Sequence, residues 1–121
     1  MPKRVLFIDD EKDFTELTKT ILGFHDFAVD TTNDPETIGE LLSQNQYDII
    51  ITDLMMPGVN GFEVIRRLRA MENYQATPAI VLSAKTLSDE ERKMLLQNKA
   101  HFMAKPFEPN DLVEKINALL E

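Results

Sequence analysis

Five short apolar runs, at residues 5–8, 27–29, 49–51, 79–82 and 102–104, punctuate the chain, and the stretches between them carry apolar residues at helical spacing. Phe14, Leu17, Ile21 and Leu22 fall on one helical face, and so do Ile38, Leu41 and Leu42 after the helix-start signal Asp34-Pro35. A third helix is predicted from near Asn60, with Val64, Ile65 and Leu68 inward. Ser88 and Glu91 form a capping box for a fourth helix, which carries Met94 and Leu95. The fifth begins near Pro109 and turns Leu112, Val113, Ile116, Leu119 and Leu120 to the core. The run 49–51 is β-branched throughout, with no polar alternation, as expected of a central parallel strand covered on both faces. Strict alternation of strand and helix with short connections predicts one parallel α/β sheet with right-handed crossovers.

At 121 residues, with Pro and Gly scattered at turns and no internal repeat, the chain reads as a single domain spanning 1–121. Cysteine is absent, which excludes disulfides and thiolate metal sites and fits a reducing compartment. The apolar run at 5–8 stops at Asp9, far short of a signal-peptide core or a membrane span, so a cytoplasmic location is the default expectation. Twenty-one acidic against 13 basic residues give a formal charge of -8. That balance repels phosphate backbones, so neither direct nucleic-acid binding nor membrane association is expected.

Chemistry collects where the strands end. Asp9 and Asp10 follow the first run, Asp53 the third, Ser83 the fourth and Lys105 the fifth. In an open parallel sheet those carboxyl ends line one edge, and ligands bind there at the point where strand order reverses. Three carboxylates brought together repel one another unless a cation or an ammonium group neutralises them. Oxygen-only ligands with no His or Cys favour a hard ion, and a few carboxylates with a carbonyl and waters suit octahedral Mg²⁺. Lys105 adds a mobile point charge suited to a phosphoryl oxygen. Each residue also has a plainer reading alone: Asp9 and Asp10 as caps of the first helix, Asp53 as a turn former, Ser83 as a strand-end hydroxyl, Lys105 as a solvated charge. Their joint placement is what favours the chemical reading. His25 and His101 have no second ligand at metal spacing and receive no role.

Asp9-Asp10-Glu11, the stretch Asp53-Leu54-Met55-Met56-Pro57-Gly58-Val59-Asn60-Gly61, Ser83-Ala84 and Lys105-Pro106-Phe107 resemble, in this order, the signature of response-regulator receiver domains of two-component signal transduction, similar to the single-domain chemotaxis type. The likeness covers nearly the whole chain. It implies a flavodoxin-like (βα)5 three-layer sandwich with strand order 2-1-3-4-5. It also implies that Asp53 is the nucleophile, taking a phosphoryl group from a phosphohistidine of a histidine kinase or histidine phosphotransfer protein. Mg²⁺ would be held by Asp10 directly, by Asp9 mainly through water, by Asp53 and by the Met55 carbonyl. Ser83 would hydrogen-bond the phosphoryl group, and Phe102 resembles the switch aromatic that turns inward behind it, although an aromatic on a short strand is also ordinary core. Lys105-Pro106 resembles the family's cis peptide.

Such a domain is a signalling switch that catalyses only its own phosphorylation and dephosphorylation, with output through the face of the fourth helix, fifth strand and fifth helix, by dimerising or by binding another protein. The chain is expected to be a stand-alone regulator or a piece of a longer one. Departures from the pattern are Asn98-Lys99, where a Gly-Ala pair commonly ends the fourth helix, and Glu108, where a shorter capping residue is usual. Asn tolerates the left-handed C-cap conformation, so the departure does not threaten the fold. Met55 and Lys85 stand where such proteins tune phosphate loss. Three rivals remain: a haloacid-dehalogenase-like phosphatase, a phosphorylation-independent binding module, and a flavodoxin-like nucleotide carrier. Glu11 replaces the second Asp of the first. The second typically loses an aspartate or the lysine. For the third, no Gly-rich loop follows the first strand.

Overall fold

The fold is that of a computed structural model, which describes residues 2–121. Strands β1 (Arg4–Ile8), β2 (Ala28–Thr32), β3 (Ile49–Asp53), β4 (Ala79–Ser83) and β5 (Ala100–Ala104) form one parallel sheet in the order β2-β1-β3-β4-β5. Helices α1 (Lys12–Phe24), α2 (Ile38–Gln44), α3 (Gly61–Ala70), α4 (Asp89–Gln97) and α5 (Pro109–Leu120) connect and follow them. The expected flavodoxin-like architecture and strand order are therefore present. Among the described residues, no helix is long and apolar enough to cross a membrane.

Alternation along each strand feeds two cores. Leu6, Ile8, Ile50 and Val81 meet Ile38 and Leu42 of α2, Val64, Ile65 and Leu68 of α3, and Leu95 of α4. Val5, Phe7, Ile49, Ile51, Ile80 and Leu82 meet Leu22 of α1 with Leu112, Val113 and Ile116 of α5. All five residues of β3 are buried, because it is the central strand with a helical layer on each side. Burying one such Ile or Leu side chain stabilises by about 1.5–3 kcal/mol, so β3 anchors the sheet. Its last residue, Asp53, is thereby held at the carboxyl edge.

Several sequence expectations shift. Strand β2 runs on through Asp30, Thr31 and Thr32, half-buried residues that an edge strand tolerates, and β5 starts two residues earlier than its apolar run. Leu17 does not face the core: it is 58% exposed. The buried stripe of α1 is instead Thr15, Thr18 and Leu22, so the helix is rotated away from its largest apolar set. Leu17 lines an open groove of about 400 Å³ with Phe14, Ile21, Pro106 and Phe107. Leu119 and Leu120 are only partly buried at the fraying end of α5.

The left-handed residue after α4 is Lys99 (φ 56°), not Asn98, whose φ is -102°. Arg69 of α3 compensates the strain by donating to the carbonyls of Asn98 (2.8 Å) and Lys99 (3.2 Å). The Asn98 amide meanwhile donates back to the Met94 carbonyl at 2.8 Å. At the other end of α4, the predicted Ser88/Glu91 capping box is formed. Glu108 caps α5 without a side-chain hydrogen bond, and Pro109 opens that helix. Asn60 caps α3 by accepting the Glu63 N–H at 3.0 Å.

Gly61 seats α3 directly on the end of β3. Its N–H donates to the Leu54 carbonyl at 2.8 Å, and an added Cβ would lie 2.8 Å from the Asp53 carbonyl oxygen and 2.9 Å from Leu54 Cα. Both neighbours are backbone and cannot step aside. Gly61→Ala is expected to destabilise the protein by about 1–3 kcal/mol through overpacking, despite the better helix propensity of Ala, as urea denaturation would measure.

Candidate functional site

The reversal of strand order falls between β1 and β3, and the residues at the ends of those strands meet there. Asp9 is fully buried and Asp53 nearly so, while Asp10 is exposed. Carboxylate oxygens of all three lie within 4.8 Å of one another. Lys105, entering from the end of β5, places its ammonium 3.1 Å from Asp9 Oδ2 and 3.0 Å from Asp53 Oδ1. The same ammonium lies 4.5 Å from the centroid of the Phe14 ring, so α1 supplies an aromatic wall to the cation. Side chains from three distant parts of the sequence thus converge as anticipated.

Asp9 is fixed from several directions. Its Oδ1 accepts the Glu11 N–H at 2.9 Å, and its own N–H donates to the Thr32 carbonyl at 3.2 Å. The N-cap of α1 is Glu11, with no side-chain cap, so neither aspartate serves the helix as an N-cap. Asp10 is left to project at the mouth of the cluster. Burial pushes the Asp9 carboxyl above the usual aspartate range, against the Glu11 N–H and the Lys105 ammonium that draw it down. Burial also disfavours the charged form of Lys105, but hydrogen bonds to Asp53 and Asp9 outweigh it and hold the ammonium above the ordinary lysine range.

Ser83 is buried at the end of β4, one residue past Leu82, the partner of Asp53 in the strand register. Its Oγ accepts the Lys85 N–H at 3.0 Å, which leaves the hydroxyl proton free to donate elsewhere. The Ser83 carbonyl accepts the Lys105 N–H at 2.9 Å, so the two residues are tied by their main chains. Lys105-Pro106 is cis. Met55 lies in the loop after β3 with its side chain exposed. Phe102 is half-buried against the core layer that contains α4.

Two features escaped sequence reasoning. The Lys85 ammonium pairs with Glu91 of α4 at 2.8 Å, joining the loop after Ser83 to the helix beyond it. Asn33, the first residue after β2, reaches back to the β1–α1 loop. Asp9, Asp10, Asp53, Ser83 and Lys105 are found by inspecting the last residue of each strand and the positions just past it, and the same rule applied to β2 would have found Asn33.

The chain matches the response regulator receiver domain family over residues 5–117. It is 34% identical over 116 residues to the response regulator SaeR of Staphylococcus aureus, a match covering 96% of this chain and 50% of that protein. It therefore spans about half the length of the curated relatives it matches. Among solved structures it is similar to the chemotaxis protein CheY4 of Vibrio cholerae, with a TM-score of 0.92 and 26% identity, covering 99% of this chain and 100% of that one. The Francisella response regulator 1452 receiver domain is likewise similar, with a TM-score of 0.85 and 28% identity over 98% of this chain and 96% of that one. Parallel sheet, acidic cluster and these likenesses all agree: the chain belongs to the response-regulator receiver domains of two-component systems.

Proposed function

We propose that Asp53 accepts a phosphoryl group from a phosphohistidine of a histidine kinase or histidine phosphotransfer protein, in a reaction assisted by Mg²⁺, and that the acyl phosphate switches partner binding. The observation that carries this reading is the cluster itself: three carboxylates within 4.8 Å, one ammonium bridging two of them, at the edge of a parallel sheet. Oxygen donors without His or Cys fit a hard cation, and an exposed Asp10 beside buried Asp9 and Asp53 leaves one side for waters and a phosphoryl group. Asp9, Asp10, Asp53 and the Met55 main-chain carbonyl would hold the ion. When bound, Mg²⁺ supplies positive charge for the phosphoryl oxygens.

The chain's own residues do the rest. A carboxylate oxygen of Asp53 attacks phosphorus, the new O–P bond forms as the donor's P–N bond breaks, and the bonding pair departs with the imidazole nitrogen. Asp53 needs no general base, because an ionised carboxylate is the nucleophile. In a loose phosphoryl-transfer transition state, protein assistance is mainly positioning and charge neutralisation. Lys105 stands 3.0 Å from the attacking carboxylate and can follow the transferred charge. Ser83 donates its free hydroxyl proton to a phosphoryl oxygen.

A charge-assisted hydrogen bond contributes about 1.5–3 kcal/mol, whereas inverting a population from 1:99 to 99:1 takes about 5.5 kcal/mol. Ser83 therefore acts together with Lys105 and with repacking of the half-buried Phe102. The consequence is read on the face of α4, β5 and α5, by a partner protein, a fused output segment or a second copy of the chain. The domain is read as a switch and not a turnover phosphatase, because Glu11 stands where haloacid-dehalogenase-like phosphatases carry their second Asp. These assignments also make the cytoplasm, where such donors and Mg²⁺ are found together, the place of action.

Intact mass after incubation with Mg²⁺ and a small phosphodonor is expected to show a single phosphoryl adduct. Asp53→Asn and chelation should each abolish it; an adduct that survives Asp53→Asn would refute the assignment. Ser83→Ala should still be phosphorylated yet lose coupling to output, so full partner binding by the phosphorylated variant would remove Ser83 from the switch. Lys105→Met leaves Asp9 and Asp53 without their shared cation. In metal-free buffer it should lose about 3 kcal/mol of stability, as expected when one partner of a buried ion pair is removed. Added Mg²⁺ should recover part of that loss in thermal melts.

A further inference from the structure

The side chain of Asn33 lies across the gap between two elements of the site. Its Nδ2 donates to the main-chain carbonyl of Asp9 at 2.8 Å and to Thr15 Oγ1 at 2.9 Å. Thr15 is buried in α1 and donates its own hydroxyl proton to the Lys12 carbonyl at 2.8 Å, so its oxygen is free to accept. The neighbouring residue, Thr32, accepts the Asp9 N–H. Residues 32 and 33 thus take both main-chain polar groups of Asp9. The β1–α1 loop, which carries Asp9 and Asp10, is pinned to the end of β2 on one side and to the first turns of α1 on the other.

The chemistry selects an amide. One nitrogen with two N–H bonds serves two acceptors on different elements, while a carboxylate of the same shape would face both with acceptor oxygens only. Leu or Ala would leave the Asp9 carbonyl without this partner. We infer that Asn33 is a positioning residue for the cation site: by fixing the main chain at Asp9, it pre-orients the Asp9 and Asp10 carboxylates for a divalent ion. The inference rests on the reading of the cluster as a Mg²⁺ site. Asn33 does not touch the ion or the phosphoryl group and acts only through the loop that bears the ligands. Loss of outer contacts that orient metal-binding carboxylates commonly weakens metal affinity.

The test is calorimetric titration of Mg²⁺ into the unphosphorylated chain, beside thermal melts in metal-free buffer. Asn33→Ala should weaken Mg²⁺ binding about 3- to 10-fold, the equilibrium weight of one hydrogen bond, while the midpoint of unfolding moves by no more than a few degrees. Thr15→Val keeps the Asn33–Asp9 bond and should lose less affinity than Asn33→Ala. Equal Mg²⁺ affinity in Asn33→Ala and wild type would overturn the inference. So would a loss matched by Thr15→Val, or one accompanied by a collapse of the melting midpoint, since either would make the role general packing of α1. If the wild-type chain takes up no Mg²⁺, the proposed phosphoacceptor function fails instead, so the two failures are told apart by the wild-type titration alone.

Discussion

Two buried carboxylates sharing one ammonium group set the terms for the rest of the molecule. With an effective dielectric near 20, the two buried carboxylates of Asp9 and Asp53, within 4.8 Å, repel by roughly 3 kcal/mol. Each contact of the Lys105 ammonium at 3.0–3.1 Å returns roughly 5 kcal/mol. One ammonium nevertheless cannot neutralise three carboxylates. The cluster stays assembled, yet its net charge remains negative, and it keeps its demand for a further cation. A second lysine would reduce that demand. One lysine leaves it poised.

Holding such a cluster requires a scaffold that does not yield to it. The parallel sheet provides that by ending each strand at the same edge, with both faces of β3 closed by apolar layers. The helices then begin immediately beyond. Gly61 permits α3 to start in contact with the Asp53 main chain, and the Glu11 N–H closes onto Asp9 as α1 starts. Electrostatic repulsion is thus resisted by burial and by main-chain hydrogen bonds. Because the resisting forces lie outside the cluster, the carboxylates themselves remain available for chemistry.

The fold was legible in the sequence because its signal is repetitive: five apolar runs, helical spacing between them, a helix start near Asn60, and a Ser88/Glu91 capping box that the structure forms as expected. The acidic cluster and Lys105 were legible because position after a strand encodes convergence. The exceptions have local causes. Leu17 departs from the apolar pattern because Thr15 and Thr18 occupy the buried stripe, and a hydroxyl that is hydrogen-bonded, as that of Thr15 is to the Lys12 carbonyl, can be buried where a hydropathy pattern does not look for it. The left-handed residue after α4 is Lys99 because Asn98 spends its side chain on Met94, while Arg69, 30 residues away from Lys99, holds the strained turn. Tertiary hydrogen bonds of this kind leave no trace in periodicity. Asn33 belongs with them, since its partners lie on the β1–α1 loop and α1.

Helix α4 differs from α3 in how it is attached. Val64, Ile65 and Leu68 bury three large apolar side chains of α3, but in α4 only Leu95 is buried, with Met94 half-buried beside it. Polar contacts at its two ends carry much of the attachment: the Ser88/Glu91 capping box with the Lys85 pair at one, the Arg69 clamp at the other. An apolar seam resists displacement in proportion to the area it hides, whereas an exposed ion pair contributes about 1 kcal/mol or less and responds to nearby charge. Displacing α4 therefore costs less than displacing α3, and its first attachment lies two residues from Ser83. On the proposed function, a charge arriving at Asp53 would meet a fully buried strand beneath it and, beyond Ser83, the helix with the smaller apolar seam. On that reading the strand would keep the chemistry in register, and α4 would be the element able to report it.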